Sequence, residues 1–146
     1  MKTTKKNKTK LKDYELTSLA NQTNYKVEKL FPDLCAFYLP KILCLCLSRF
    51  QKVDDDYQKN EKYIDFPLNN LNMNKFINEN NKLNYIYDIY AVCEHYGSRY
   101  GGHYTAICKN YDGNWYSYDD SDCSLAEEKE VCTKNAYVLF YRRRDW

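Results

Sequence analysis

Apolar and polar positions alternate unevenly along this chain, and the pattern sharpens toward its C-terminal third. Residues 1–12 carry six lysines, Lys2, Lys5, Lys6, Lys8, Lys10 and Lys12, with no acid before Asp13. Such a run reads as a solvated, disordered basic tail. From Tyr14 to Phe31, Leu16, Leu19, Ala20, Val27 and Leu30 recur at a weakly helical spacing. Leu39 to Phe50 differs: Pro40 opens it, and six consecutive apolar residues follow from Ile42 to Leu47. A run this dense predicts a strand buried on both faces.

Gln51 to Lys62 is polar and reads as a loop. Its Asp54-Asp55-Asp56 run reads as solvated acids, because oxygen-ligand cation sites space their carboxylates and turn on glycine. Tyr63 to Leu68 predicts a short strand stopped by Pro67. In the asparagine-rich stretch from Asn69 to Asn84, Met73, Phe76 and Ile77 suit a single helical turn. Then come a strand from Tyr85 to Glu94, a loop from Gly97 to Gly102 and a strand from His103 to Lys109. Asp112-Gly113 signals a hairpin, with a return strand from Asn114 to Asp119. Ser124 with Glu127 three residues on predicts a capped short helix reaching Cys132. Ala136 to Arg142 closes the pattern as a strand. The fold class is α+β, an antiparallel sheet with few and short helices, carried by residues 13–146 as one domain or part of one.

Composition narrows the function classes. The 16 tyrosines and 6 phenylalanines favour strands. A net charge of +2 argues against a dedicated nucleic-acid surface. The longest apolar stretch, Leu34 to Leu47, is broken by Pro40 and Lys41 and is too short to cross a bilayer. The seven cysteines are odd in number and lie partly in apolar strand-like runs, and no apolar core follows the basic start as in a secretory signal. Reduced thiols in a cytoplasmic or nuclear protein are expected. No C-x-x-C pair occurs, so neither structural zinc nor another cofactor is expected.

The candidate chemistry centres on His103. A hairpin centred near Asp112-Gly113 sets His103 opposite positions 121 and 122, within a few residues of Asp119 and Asp120. A bulge or wider turn would bring the acidic pair beside the ring. A carboxylate there accepts the proton of one ring nitrogen, fixes the tautomer and leaves the other nitrogen free to take a thiol proton. Spacing alone leaves open a structural histidine at a strand start. His95 has no turn bringing an acid to it and reads as a loop residue. Gly101 and Gly102 permit close approach of backbone or an extended ligand. None of the seven cysteines sits in a setting that looks like a nucleophile.

These residues resemble the histidine box of the ubiquitin-specific proteases, the papain-like deubiquitinases. The matching segments are Gly101-Gly102-His103-Tyr104-Thr105-Ala106, Trp115-Tyr116-Ser117-Tyr118-Asp119-Asp120-Ser121 and Ala136-Tyr137-Val138-Leu139-Phe140-Tyr141. Upstream, Leu39-Pro40 through Leu47-Ser48-Arg49-Phe50 and Phe66-Pro67 also fit, so the resemblance covers roughly residues 35–143. It implies the palm of a papain-like cysteine protease, without the thumb, acting on the bond after the ubiquitin C-terminal glycine. His103 would be the general base, Asp119 its orienter and Asp120 a second acidic partner. Tyr100, Gly101, Gly102 and Tyr104 would border the channel for the ubiquitin tail, with the segment between Phe50 and Tyr63 on its other flank. The family's Gly-Asn-Thr-Cys segment does not occur among the 146 residues. The nucleophile would then come from elsewhere, for example a partner chain. The alternative is an inactive fragment that still binds ubiquitin or another partner.

Overall fold

The computed structural model of the chain describes residues 25–26, 39–77 and 83–146. The basic tail, most of the expected helix between Tyr14 and Phe31, and Cys35 lie outside these residues. No described helix is long and apolar enough to cross a membrane.

The architecture is a seven-stranded antiparallel sheet. Its strands are β2 (Ile42–Cys46), β6 (Leu71–Asn72), β7 (Ile86–Ser98), β8 (Gly101–Lys109), β9 (Trp115–Asp119), β10 (Asp122–Ala126) and β11 (Ala136–Arg143). The order is β10-β9-β8-β7-β11-β2, with β6 paired to β7. A hairpin of β3 (Phe50–Val53) and β4 (Asp56–Lys59) stands apart. The strand β1 (Tyr25–Lys26) pairs in parallel with β5 (Ile64–Asp65), so these two residues are extended where a helix was expected.

Period-two alternation gives the sheet a buried face and a half-open one. One cross-strand row is Leu45, Leu139, Val92 and Ile107, all buried. The adjacent row on the opposite face is Cys46, Val138, Cys93, Ala106, Tyr118 and Cys123, exposed or half-buried. The segment from Ile42 to Cys46 is therefore buried on one face and not on both. It forms the edge strand of an antiparallel sheet, and Cys44 and Cys46 occupy its outward positions.

Three other expectations change. The polar stretch after Phe50 is a hairpin, turned by Asp54 in the left-handed region (φ 56°). Only Arg99 and Tyr100 form the turn between β7 and β8, and the glycines on either side belong to strands. Ser124 lies in β10; the capping box forms one turn later, between Glu127 and Glu130, around a 3-10 turn at Glu128–Glu130. The turn expected near Met73 and Phe76 is a 3-10 turn at Asn74–Phe76.

Polar side chains tie the pieces together where backbone partners run out. Arg49 is 2% exposed; its Nε donates to the Ala136 carbonyl at 3.0 Å and its Nη1 to the Asn60 and Lys62 carbonyls at 3.1 and 2.5 Å. It thereby fixes the base of the β3–β4 hairpin to the start of β11. The Tyr87 hydroxyl donates to the Pro40 carbonyl at 2.6 Å and that of Tyr141 to Pro67 at 2.9 Å. A buried tyrosine needs such a partner, and burial pushes the Tyr87 hydroxyl up to about 12.

Candidate active site

Along β8, alternate residues on the core face run from buried Ile107 through half-buried Thr105 to exposed His103. The sheet thus carries His103 from the core out to the rim. The β8–β9 ladder pairs residues from Lys109↔Trp115 to Ala106↔Tyr118. Asp119 ends β9 on the same face as Ser117, the partner of Ile107. His103 Nε2 and Asp119 Oδ1 are 2.5 Å apart. The ring donates through Nε2–H to the carboxylate, which leaves Nδ1 as the free nitrogen. The Asp119 hydrogen bond, then its charge, then the charge of Asp120 hold the His103 pKa above its ordinary value. Asp120 adopts a left-handed backbone (φ 50°), which a short polar side chain tolerates, and turns the chain into β10.

His103, Asp119 and Asp120 are the one group among the described residues whose ligand atoms, all within 4.8 Å, could jointly hold a cation. Zinc bonds to nitrogen and oxygen of about 2.0–2.2 Å at tetrahedral angles separate ligand atoms by more than the 2.5 Å found here. The present geometry is that of a hydrogen bond.

Two glycines before His103 serve different ends. Nothing lies within 4 Å of where a Gly101 Cβ would stand. A Gly102 Cβ would collide with the Tyr96 carbonyl oxygen and the His95 ring. His95 is not the loop residue expected from sequence. It lies in β7, 3% exposed, with ring centroids 5.6 Å from Phe50, 4.7 Å from Tyr104 and 5.6 Å from Tyr137. Tyr137 reaches it as the extra residue of a bulge, since Ala136 pairs with Glu94 and Val138 with Cys93. Burial, then the Lys59 charge, pushes the His95 pKa down.

Beneath His103 lies a residue that sequence reading missed. Glu94 is 3% exposed and pairs across the strand with Thr105. Its Oε2 accepts from the Tyr96 and Thr105 hydroxyls, each at 3.2 Å, and its Oε1 accepts from the Thr133 hydroxyl. Three hydroxyls at scattered positions carry no spacing signal; only the sheet register assembles them.

The tips of the two hairpins meet. The Tyr100 hydroxyl donates to Asp56 Oδ1 at 3.1 Å, and the Arg99 guanidinium lies 3.4 Å over the Tyr57 ring. Tyr100 and Tyr104 are 76% and 55% exposed; Gly101 shares the His103 face of β8, whereas Gly102 and Tyr104 lie on the opposite face, against His95. The thiols are elsewhere. Cys93 and Cys108 lie on the other sheet face, and burial pushes both thiols up, away from thiolate. No cysteine among the described residues hydrogen-bonds His103, and none of the six described cysteines is in a disulfide.

The ubiquitin carboxyl-terminal hydrolase family model matches residues 1–141. Ubiquitin carboxyl-terminal hydrolase 31 of Homo sapiens is 40% identical over 134 residues, covering 76% of this chain and 10% of that protein. Ubiquitin carboxyl-terminal hydrolase 4 of Mus musculus is 47% identical over 108 residues, covering 73% and 11%. Among solved structures, the SAGA Ubp8/Sgf11/Sus1/Sgf73 DUB module is similar with a TM-score of 0.71 at 29% identity, over 82% of this chain and 30% of the matched one. The same module bound to ubiquitin aldehyde matches with a TM-score of 0.66 at 33% identity, over 73% and 25%. The chain thus spans 10–12% of the length of the curated relatives it matches. It spans 24–32% of the matched solved chains.

Proposed function

This chain belongs to the ubiquitin carboxyl-terminal hydrolase family, and from that premise we propose that it supplies the histidine and aspartate of a thiol-dependent ubiquitin hydrolase. The observation that carries the reading is the hydrogen bond between His103 and Asp119 at an exposed rim, with the second ring nitrogen unengaged.

In the proposed reaction a cysteine thiol from outside the described residues gives its proton to His103 Nδ1. The sulfur then bonds to the carbonyl carbon of the ubiquitin C-terminal glycine. The imidazolium returns the proton to the leaving amine as the C–N bond breaks, and a thioester remains. Water, deprotonated by the same nitrogen, attacks the thioester, the C–S bond breaks and the thiol is regenerated. Asp119 keeps Nε2 protonated throughout and stabilises the imidazolium. Asp120 adds negative charge on the same side.

Gly101 suits the passage of a tail ending in Gly-Gly, because open space lies over it on the His103 face of β8. Ubiquitin is the proposed partner, supported by the similarity to a module solved with ubiquitin aldehyde. Six described cysteines outside any disulfide fit a reducing compartment, cytoplasm or nucleus.

A second reading, a ubiquitin-binding unit without turnover of its own, is favoured by one observation: no described thiol reaches His103. Both readings require ubiquitin to bind. Titrating the isotope-labelled chain with ubiquitin should move the amides of Tyr100, Gly101, Gly102 and Tyr104. No shift at high ubiquitin concentration overturns both.

A further inference from the structure

At the end of the sheet away from His103, a cleft of about 630 Å³ opens between the ends of β7, β8 and β11. Lys109 lies six residues beyond His103 on β8, about 20 Å at 3.3 Å per residue. The volume falls in the range of ligand clefts, roughly 300–1,000 Å³.

Its charge is lopsided. Asp88 is the one carboxylate lining it, and that charge is already matched: Arg144 donates to Asp88 through Nε at 2.7 Å and Nη2 at 3.0 Å. The Asn70 amide adds a third bond at 2.8 Å. Arg143 turns inward to Asp145 and to the Leu39 carbonyl. Lys109 and Arg142 remain, and neither forms an ion pair with any carboxylate among the described residues. Arg142 stands directly across the strands from Asp88, and Lys109, whose ammonium lies 5.6 Å from the Trp115 ring centre, also acts on that carboxylate. One acid thus faces three cations, Arg144, Arg142 and Lys109, and the cleft keeps a net positive charge.

The walls are aromatic. Tyr90 is the extra residue of a bulge in β7, between the pairs Ala91↔Phe140 and Ile89↔Tyr141. Bulges re-aim side chains and recur next to functional sites. Tyr111 is fully exposed and Trp146 is 59% exposed, so two large rings stand in solvent at the cleft mouth. Arginine with exposed tyrosine and tryptophan is the composition of protein-recognition hot spots.

We propose that this cleft docks an acidic linear segment of a partner protein, its carboxylates on Lys109 and Arg142 and an apolar side chain against Tyr90 and Trp146. Two cations suit a short anionic motif; a nucleic-acid strand draws its affinity from a longer track of phosphate contacts. The site is separate from the His103 rim, and the proposal does not rest on the hydrolase reading.

The test uses the labelled chain and three probes: a peptide alternating glutamate with phenylalanine, the same peptide with lysine for glutamate, and a short oligouridylate. The acidic peptide should move the amides of Tyr90, Lys109, Tyr111 and Arg142, leave His103 in place, and weaken as salt rises. Reversing both exposed charges, Lys109→Glu with Arg142→Glu, should weaken it at least about tenfold while shifts elsewhere show the fold retained. The lysine peptide should not bind. No shift in the cleft, binding indifferent to charge reversal, or tighter binding by the oligouridylate overturns the proposal.

Discussion

His103 Nε2 meets Asp119 Oδ1 at 2.5 Å although the register, continued from Ala106↔Tyr118, sets His103 level with Ser121. The contact is diagonal across the hairpin. Asp119 and Ser121 are two apart, so in an extended strand they share a face, and a diagonal neighbour lies within reach of a long side chain. The chain folds back at Asp120 and leaves the carboxylate at the tip of β9, beside the ring.

That contact sets a titration. With only two histidines in the chain, each imidazole can be followed separately by NMR. His103 should titrate above the ordinary value of about 6.5, and Asp119→Asn should bring it back toward that value. Because the folded value is raised, the stability gained from this pair is present in full below pH ~6.5. It is lost as pH rises through the folded value. An unchanged His103 midpoint in Asp119→Asn contradicts the assignment of cause.

His95 runs the other way. Burial and Lys59 push its pKa down, so the folded state takes up this proton less readily than the unfolded chain. Its contribution is complete above pH ~6.5 and is lost as pH falls through the lowered native value. Thermal midpoints should therefore decline below pH ~6.5, and His95→Gln should flatten that part of the curve. An equally steep decline in the variant assigns it to other groups.

The paired glycines should separate on substitution. Gly102→Ala forces a methyl into the Tyr96 carbonyl and the His95 ring, an overpacking cost of roughly 1–3 kcal/mol. Gly101→Ala meets nothing and should leave stability within about 0.5 kcal/mol. Denaturant unfolding of both variants checks the contrast.

Glu94→Ala strips one acceptor from three hydroxyls and should cost about 1–3 kcal/mol for the unsatisfied donors it leaves. Glu94→Gln keeps one oxygen and should cost less. Equal losses in the two variants indicate that side-chain volume, and not hydrogen bonding, is what Glu94 supplies.

Much of the sheet was legible in sequence because strands announce themselves locally. Tyr85 to Glu94, His103 to Lys109 and Ala136 to Arg142 are aromatic or β-branched runs bounded by turn residues, and Asp112-Gly113 marks the hairpin that brings His103 near Asp119. Local sequence says less where the deciding contact is remote. Ile42 to Leu47 looks buried on both faces because cysteine counts as apolar, yet an edge strand presents Cys44 and Cys46 outward. The β3–β4 hairpin is polar on its own and takes its place from Arg49, whose partners lie 11, 13 and 87 residues away. His95 looked like a loop residue because Phe50, Tyr104 and Tyr137, which bury it, come from three other strands.

The most direct test is turnover of a ubiquitin C-terminal fluorogenic amide, with the family cysteine segment supplied in cis or as a second chain. Wild type is compared with His103→Ala, and ubiquitin affinity is measured alongside. The account predicts a loss of about 10²–10⁴-fold in turnover with binding retained. Turnover unchanged in His103→Ala contradicts it.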